Sequence, residues 1–551
     1  MVLVMTKHLK NTKYIFVTGG VVSSLGKGVA TASLGYILKS MGYSVFLKKL
    51  DPYLNIDPGT MNPKEHGEVF VTKDGMESDL DLGHYERFTG VDTSIDSNIT
   101  AGKIYYNLLE KERRGDYLGQ TVQVIPHVTN LIKDFIKRNN DKYDFLICEI
   151  GGTVGDIEAL PFFESIRQIK SELPREDVLF VHLTLIPFLH ATKELKTKPT
   201  QHSVKELMSI GIIPAVIICR TEREIGDDNL AKIASFCNVS KESVIQGFDT
   251  KNIYDIPLSY IKQGIDKVLC SKLNLGEQKP QVQSLQQIID RQHSITSKTN
   301  VKKIALIGKY TSLQDSYKSL TESLKHAAFS LDIHHSIDFV DARKLDKKNE
   351  EEIAKALSGF DGFVVPGGFG TDGLEGMIKA IKHIRENNLP FLGICLGMQM
   401  TVIEFARSVL GMAKAHTEEV VGDNAEYIKI VSTMESWEKD GKIYKKDAKL
   451  GGSMRLGEYG AKIAKDTLAY KIYGQDVISE RHRHRYEVDL AFKDKLEAAG
   501  LRLSGLSADS GLPEIAEITN HKFFIAVQYH PEFNSGILKP NPLFVEFIKS
   551  C

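Results

Sequence analysis

Net charge is almost absent from this sequence: 70 Lys and Arg residues stand against 71 Asp and Glu, leaving −1 over 551 residues. That excludes a global polycation that coats nucleic acid without selectivity, though not local clusters that bind phosphates. Cysteine is scarce too. The six thiols (Cys148, Cys219, Cys237, Cys270, Cys395 and Cys551) form no CxxC pair and no disulfide-framework spacing, which suits free thiols in a reducing compartment. No apolar run reaches the roughly 18–20 residues that span a bilayer, and the opening MVLVMTKHLKNTK has too short an apolar stretch for a signal peptide. The expectation is a cytoplasmic protein with no nucleic-acid and no membrane partner. Internal repeats are also missing, which sets aside solenoid architectures.

What is present is ordinary for a globular chain, 42% hydrophobic and 26% charged, at a length too great for one hydrophobic core. Short apolar runs at 14–18, 44–47, 144–150, 178–185 and 215–219 alternate with helical patterns such as 29–40. Runs of this kind bounded by turns suit buried parallel strands. The pattern restarts near Lys302, with strands expected at 304–307, 362–365 and 391–395 and a helix carrying Leu320, Leu324, Ala328 and Leu331. Between them, 276–300 is rich in Gln, Ser, Lys and Thr and reads as a linker, partly helical. The expected fold class is therefore α/β with two doubly wound domains, at 1–275 and 301–551, joined by 276–300.

The first strand runs into Thr18-Gly19-Gly20-Val21-Val22-Ser23-Ser24-Leu25-Gly26-Lys27-Gly28, a Gly-rich turn before a helix. Such a turn curls backbone N–H groups around an anion, and Lys27 adds a point charge. It is a variant P-loop: Gly28 stands where Ser or Thr usually meets magnesium. Hard oxygen ligands are available in Glu77-Ser78-Asp79-Leu80-Asp81 and in Glu149, which ends an apolar run at the carboxyl edge of a strand. Asp79 and Asp81 taken alone read as solvated loop acids. Lys48-Lys49 and the loop 196–201 supply further positive charge, or are simple surface runs.

In the second half, Gly393-Ile394-Cys395-Leu396-Gly397 places a thiol between small residues at a strand-to-helix turn, where a helix N-terminus favours the thiolate. His530-Pro531-Glu532 offers a base and an acid to orient it, and Val364–Gly370 offers backbone N–H donors for an oxyanion. The run Arg481-His482-Arg483-His484-Arg485-Tyr486 looks basic enough for nucleic acid, but the flanking Glu480 and Glu487 argue against that.

Six segments, VTGGVVSSLGKG, KKLDPYLNIDPGTMNPKEHGEVFV, DLDLGHYERF, GQTVQVIPH, CEIGGTVGDIE and KTKPTQHSV, occur in this order and resemble the CTP synthase family across the whole first domain. PGGFG, GICLGMQ and YHPEF resemble the class I glutamine amidotransferases. The resemblance implies that ATP phosphorylates the 4-oxygen of UTP and that glutamine-derived ammonia displaces the phosphate to give CTP. It further implies that Ser23, Ser24, Leu25, Gly26, Lys27 and Asp81 bind ATP, that Lys49 stabilises the transferring phosphoryl group, and that Asp81 and Glu149 hold Mg2+. Ser23, Gln123, Lys196, Thr197, Lys198, Pro199, Thr200, Gln201 and Lys232 would grip UTP. Asp156, Ile157 and Glu158 would recognise CTP as feedback inhibitor.

By the same resemblance Cys395, His530 and Glu532 form the glutaminase set. Gly368, Leu396, Gly397, Met398, Gln399, Glu418 and Arg485 hold glutamine, and His66 and Val69 line an ammonia passage. A homotetramer follows, since the family builds nucleotide sites between subunits. GTP is the family's activator, tied to Leu118 and Gly119, which match, and to an Arg after PGGFG. Here that segment reads Gly370-Thr371-Asp372-Gly373, which speaks against GTP acting in the usual manner. Two competitors remain: a P-loop amidotransferase acting on a carboxylate, such as cobyrinate, which lacks KTKPTQ and GTVGDIE, and a ParA-like switch ATPase or structural filament, which needs no intact thiol set.

Overall fold

The computed structural model describes residues 8–295, 300–433, 436–439, 442–445 and 454–551. The chain divides into two compact units, and the division is not a single cut: residues 1–58 and 81–289 form one, while 59–80 join 290–551 in the other.

In the first unit seven strands make one sheet: β1 (Lys13–Gly19), β2 (Val45–Asp51), β3 (Asn98–Thr100), β4 (Phe145–Ile150), β5 (Val178–Leu185), β6 (Val216–Thr221) and β7 (Val244–Phe248). Their spatial order is β7-β6-β5-β1-β4-β2-β3, and every pairing is parallel. All residues of β1, β2 and β4 are buried, because helices cover both faces. Phe16, Leu146, Cys148 and Phe180 pack with Ile104, Phe135 and Ile166 on one side. The order reverses around β1, so the carboxyl ends of β1, β2 and β4 open onto one crevice.

The second unit carries a nine-stranded sheet from β8 (Val301–Gly308), β9 (His334–Asp341), β10 (Gly362–Val365), β11 (Phe391–Ile394), β12 (Arg455–Ile463), β13 (Val477–His484), β14 (Leu501–Ser507), β15 (Pro513–Ile518) and β16 (Phe524–Val527), in the order β9-β8-β10-β11-β16-β15-β14-β12-β13. Half of it is parallel, from β9 to β16, and the remainder is an antiparallel extension. Alternation along the parallel strands feeds two cores. Ile307, Val365, Phe391 and Ala526 face one, and Leu306, Val364, Leu392 and Ile525 the other. Within 276–300, a helix spans Gln283–Ile295. Among the described residues no helix is long and apolar enough to cross a membrane.

Candidate functional site

In the first unit β1 ends at Gly19 and the helix Lys27–Ser40 begins after Gly26, whose φ of 91° takes the chain through the left-handed region. Ser23 and Ser24 are exposed on the turn, Leu25 is buried beneath it, and Arg220 Nη1 holds the Ser24 carbonyl at 2.9 Å. Lys27 folds back over Gly19 and donates to the Gly152 carbonyl. Burial pushes its ammonium pKa down, while Glu149 opposes that shift.

Lys49, at the end of β2, donates to Asp81 and, at 3.0 Å, to Glu149, with Asp51 at 3.8 Å. Burial pushes both Glu149 and Asp51 above the usual carboxylate range, and Lys49 counters it in each. Tyr85 donates to Glu149 Oε2 and Asn98 to Asp51 Oδ2. Three carboxylates thus converge on one ammonium at strand ends β2 and β4. They are hard oxygen donors of the kind that Mg2+ takes singly or in pairs, with substrate phosphates completing its shell. Among the described residues no trio of His, Cys, Asp or Glu is arranged to hold an ion by itself.

Gly28 explains its own departure from the P-loop pattern. A Cβ there would overlap Asp81 Oδ1. Where a P-loop carries a hydroxyl residue this chain has only hydrogen, and the Asp81 carboxylate occupies the space. Lys48, by contrast, points to the opposite face of the sheet, where its Nζ donates to the carbonyls of Phe135 and Arg138. Burial lowers its pKa to about 8.

The residues 196–201 stand at the start of the helix Lys198–Ser209. Lys196, Thr197, Lys198 and Lys232 line a cavity of about 550 Å³ together with Arg223, whose guanidinium lies 3.6 Å from the centre of the Phe188 ring. Thr200 bonds Thr184 and Gln201 bonds Thr197, so these two brace the loop from inside, and Pro199 sits in the first helical turn. Gln123 and the segment Asp156, Ile157, Glu158 are not in that cavity. Gln123, Ile157 and Glu158 are exposed, and Asp156 accepts from the Thr153 N–H at 2.6 Å.

In the second unit β11 delivers Cys395 at φ 52° and ψ −100°, a strained elbow for a side chain with Cβ, directly before the helix Leu396–Ser408. Gly393 and Gly397 are obligatory neighbours. A Cβ on Gly397 would overlap the Val365 carbonyl oxygen, and one on Gly393 would stand 3.0 Å from Ala526 Cβ. Gln528 Nε2 lies 3.7 Å from Cys395 Sγ, and Sγ lies 3.9 Å from the Arg483 carbonyl. His530 Nδ1 meets Glu532 Oε1 at 2.7 Å. Burial lowers the His530 pKa, but Glu532 and the neighbouring Cys395 outweigh it and raise the imidazole to about 10. Gly367 passes against the ring, leaving 2.8 Å between a built Cβ and His530 Cε1.

The loop 366–370 is anchored by protein groups. Lys309 Nζ donates to the carbonyls of Phe369 (3.0 Å) and Gly370 (2.7 Å), Tyr310 Oη accepts from Phe369 N–H, and Glu419 accepts from Gly370 N–H. Burial lowers Lys309 to about 8. Leu396 opens its helix, so its N–H has no intrahelical acceptor, and its Cδ2 lies 3.4 Å from a Cβ built on Gly368. Met398 is fully buried, and Gln399 Nε2 donates to the Tyr486 carbonyl at 2.9 Å. Glu418 accepts from the Thr433 amide and hydroxyl, and Arg485 is half-buried.

Cys395, His530, Glu532 and Gly368 line one pocket with Val69, Tyr310 and Arg483, whereas His66 is exposed on the short helix Pro63–His66. Arg483 donates to Glu77 at 2.8 Å and Glu68 binds the Ser319 amide and hydroxyl. The run 77–81 is therefore divided: Glu77 accepts from Arg483 of the thiol pocket, and Asp81 accepts from Lys49. Asp51, Tyr85, Tyr310, Arg483 and Gln528 escape a sequence reading, although KKLDP and VQYHPEF carry Asp51 and Gln528 within two residues of recognised positions.

A family pattern described as CTP synthase N-terminus matches residues 13–275, and one described as glutamine amidotransferase class-I matches 312–550. The chain is 53% identical over 540 residues to a CTP synthase of Pelagibacter ubique, covering 98% of this chain and 99% of that one. The chain belongs to the CTP synthase family. A second CTP synthase, from Agrobacterium fabrum, is 51% identical over 98% of both chains. A solved glutaminase domain of Trypanosoma brucei CTPS with bound acivicin is 36% identical, covering 45% of this chain and 93% of that one at a TM-score of 0.41. The CTP synthase N-terminus match falls on the first unit together with 59–80, and the glutamine amidotransferase match falls on the second.

Proposed function

We propose that this chain aminates UTP to CTP, using ATP and ammonia split from glutamine, with the residues described above as its machinery. The observation that carries the reading is the Cys395 elbow facing a His530 that Glu532 keeps protonated. With the imidazole at about 10, the one proton that thiol and imidazole share rests on His530 at neutral pH. Cys395 Sγ attacks the carboxamide carbon of glutamine, and the oxyanion takes the N–H groups of Gly368 and Leu396. His530 gives its proton to the departing ammonia, leaving a glutamyl thioester. Neutral His530 then takes a proton from water, which attacks the thioester and releases glutamate. Gln399, Glu418 and Arg485, with the turn Leu396, Gly397 and Met398, shape the glutamine pocket; Val69, which lines the thiol pocket, and the exposed His66 are assigned to the ammonia passage.

On the synthetase side Ser23 to Lys27 cradle the ATP phosphates while Lys49 meets the transferring phosphoryl group. Asp81 and Glu149 would hold Mg2+, which neutralises the phosphate oxygens. The two burial-raised carboxylates, Glu149 and Asp51, support this, because a dication relieves what burial penalises. Lys196, Thr197, Lys198 and Lys232 take the UTP phosphates, with Pro199, Thr200 and Gln201 holding the loop that presents them. Gln123 and Asp156 to Glu158 serve UTP and feedback CTP from another surface, consistent with sites shared between copies. Exposed Tyr106, Leu109, Leu118, Val124, Ile125 and Ile157 support a homotetramer, as apolar side chains that contact between copies would cover. GTP has no evident task at a loop already held by Lys309, Tyr310 and Glu419, and the exposed Asp372 repels it.

The test is Cys395→Ala in an assay of ATP and UTP with either glutamine or ammonium, reading CTP by absorbance. Glutamine-dependent synthesis is abolished and ammonia-dependent synthesis is kept. Equal loss of both in a folded protein refutes the two-site reading.

A further inference from the structure

Behind the thiol lies a closed set of five buried ionisable side chains with no task in the chemistry above. Arg455, from β12, donates to Glu487 Oε1 at 2.8 Å and to Glu514 Oε1 at 2.9 Å. His484 Nδ1 stands 3.5 Å from Glu487 Oε1, His482 Nε2 stands 3.5 Å from Glu514 Oε2, and the two imidazoles meet through His482 Nδ1 and His484 Nε2 at 2.8 Å. The chain Arg455–Glu487–His484–His482–Glu514 therefore returns to Arg455. None of the five is more than 2% exposed. Tyr459 from β12, whose ring lies under Arg455, and Tyr529 and His530 beyond β16 also face it.

Charge counting shows what the ring holds. Two carboxylates and one guanidinium leave an excess negative charge if both imidazoles are neutral. One further proton, shared along the His482–His484 bond or carried by Glu514, brings the set to neutrality. Burial and Glu487 raise Glu514 to about 8 against the pull of Arg455, which agrees with a proton resident in the ring.

The ring grips the strand on which the glutaminase site hangs. Side chains on β13 alternate, so His482 and His484 point into the ring while Arg481 and Arg483 point away, to the Val71 carbonyl and to Glu77. The carbonyls between them are the site's fixtures: Arg481 O accepts the His530 N–H at 2.8 Å, and Arg483 O lies 3.9 Å from Cys395 Sγ. On the other side the Glu514 carbonyl accepts the N–H of Gln528, the residue whose amide approaches the sulfur. We propose that this closed ring is a positioning device for the glutaminase step, keeping thiol and base in register through the backbone of β13 and of Gln528.

A purely structural role predicts something different, since buried ion sets are often replaceable without loss of stability. The test opens the ring with Glu514→Gln, and separately with His482→Gln, in the full-length protein. It reads the pH profile of Cys395 alkylation by iodoacetamide, located by peptide mass, together with kcat and KM for glutamine. Ammonia-dependent CTP synthesis reports the fold and the other site. The expected result in at least one variant is a glutamine kcat lowered about tenfold or more, KM changed less than about threefold, and a displaced alkylation profile, with ammonia-dependent synthesis within about twofold of the parent. Superimposable profiles and unchanged kcat overturn the proposal. So does loss of ammonia-dependent synthesis in both variants, which assigns the ring to folding. The inference rests on Cys395 as the nucleophile: persistence of glutamine-dependent synthesis in Cys395→Ala removes that reading, whereas unaltered Glu514→Gln and His482→Gln remove the ring alone.

Discussion

Gly28→Ala is the sharpest probe of the phosphate side, because it adds one methyl group and touches one residue. The new Cβ overlaps Asp81 Oδ1 and stands 3.1 Å from Asp81 Cβ. Asp81 is too short to bend aside, so its carboxylate must rotate away, and in doing so it leaves Lys49 Nζ. Gly28 sits in the first turn of its helix without a positive φ, so Ala there is conformationally favourable by up to about 1 kcal/mol. Stability should hold or rise while activity falls. Removing one preorganised electrostatic partner from a water-excluded phosphoryl site costs about 10²–10³ in rate, roughly 3–4 kcal/mol. Ammonia-dependent CTP formation is the assay, with glutamine hydrolysis as the internal control that stays within about twofold. If the methyl group acts only through Asp81, Gly28→Ala and Asp81→Asn lower the rate alike and the double variant is no worse than either. Multiplicative losses in the double variant, or a Gly28→Ala rate within about threefold of the parent, refute the placement of Asp81.

Glu77→Ala frees the Arg483 guanidinium, so glutamine kcat/KM falls about tenfold or more while ammonia-dependent synthesis stays within about twofold; steady-state kinetics with both nitrogen donors decide it. Because His530 is raised above its unfolded value of about 6.5 to about 10, its contribution to stability is full below pH 6.5 and disappears as pH rises through 10. The melting temperature of Glu532→Gln should therefore lie a few degrees below the parent at pH 6 and approach it near pH 10; a gap that widens with pH contradicts the pairing. Omitting GTP should change glutamine-dependent kcat by less than about threefold, since the loop 366–370 already has Lys309, Tyr310 and Glu419 as anchors; a larger GTP effect shows that Asp372 does not prevent it. Phe391→Ala, at a fully buried strand position stacked on Phe524, should cost about 3–5 kcal/mol by denaturant titration of the second unit.

Parallel strands were easy to read because both of their faces are apolar. The runs at 14–18 and 144–150 announce β1 and β4, and with them the places where Lys27 and Glu149 stand. The antiparallel extension was not legible for a physical reason. Strand β13 buries Arg481, His482 and His484, and β12 buries Arg455, so the residues that face inward are those a hydropathy pattern assigns to solvent. Glu487 lies only three positions past His484, but Glu514 lies far downstream, and no local period connects an arginine to a glutamate 59 positions away. The membership of 59–80 in the second unit escaped for the same reason: Glu77 and Arg483 are 406 positions apart. Lys48 shows the reverse error. Strand alternation alone places it on the face opposite Lys49, so the KK pair could never have served one site.

The two units treat buried charge in opposite ways, and the contrast follows from what each receives. Around the phosphate loop Asp51, Asp81 and Glu149 confront Lys27 and Lys49, three acids against two bases, with burial raising two of the acids and lowering Lys27. A set so unbalanced is costly alone and would be relieved by a dication arriving with anionic phosphates, so part of the binding free energy would come from removing strain already present. The glutaminase side accepts a carboxamide, which brings no net charge to the reacting atoms. There Glu532 is matched by His530, Glu77 by Arg483, and the two ring carboxylates by Arg455 and one proton, so no cation is needed to complete the site. A near-neutral composition is then the sum of one centre left open for charged reactants and another closed upon itself.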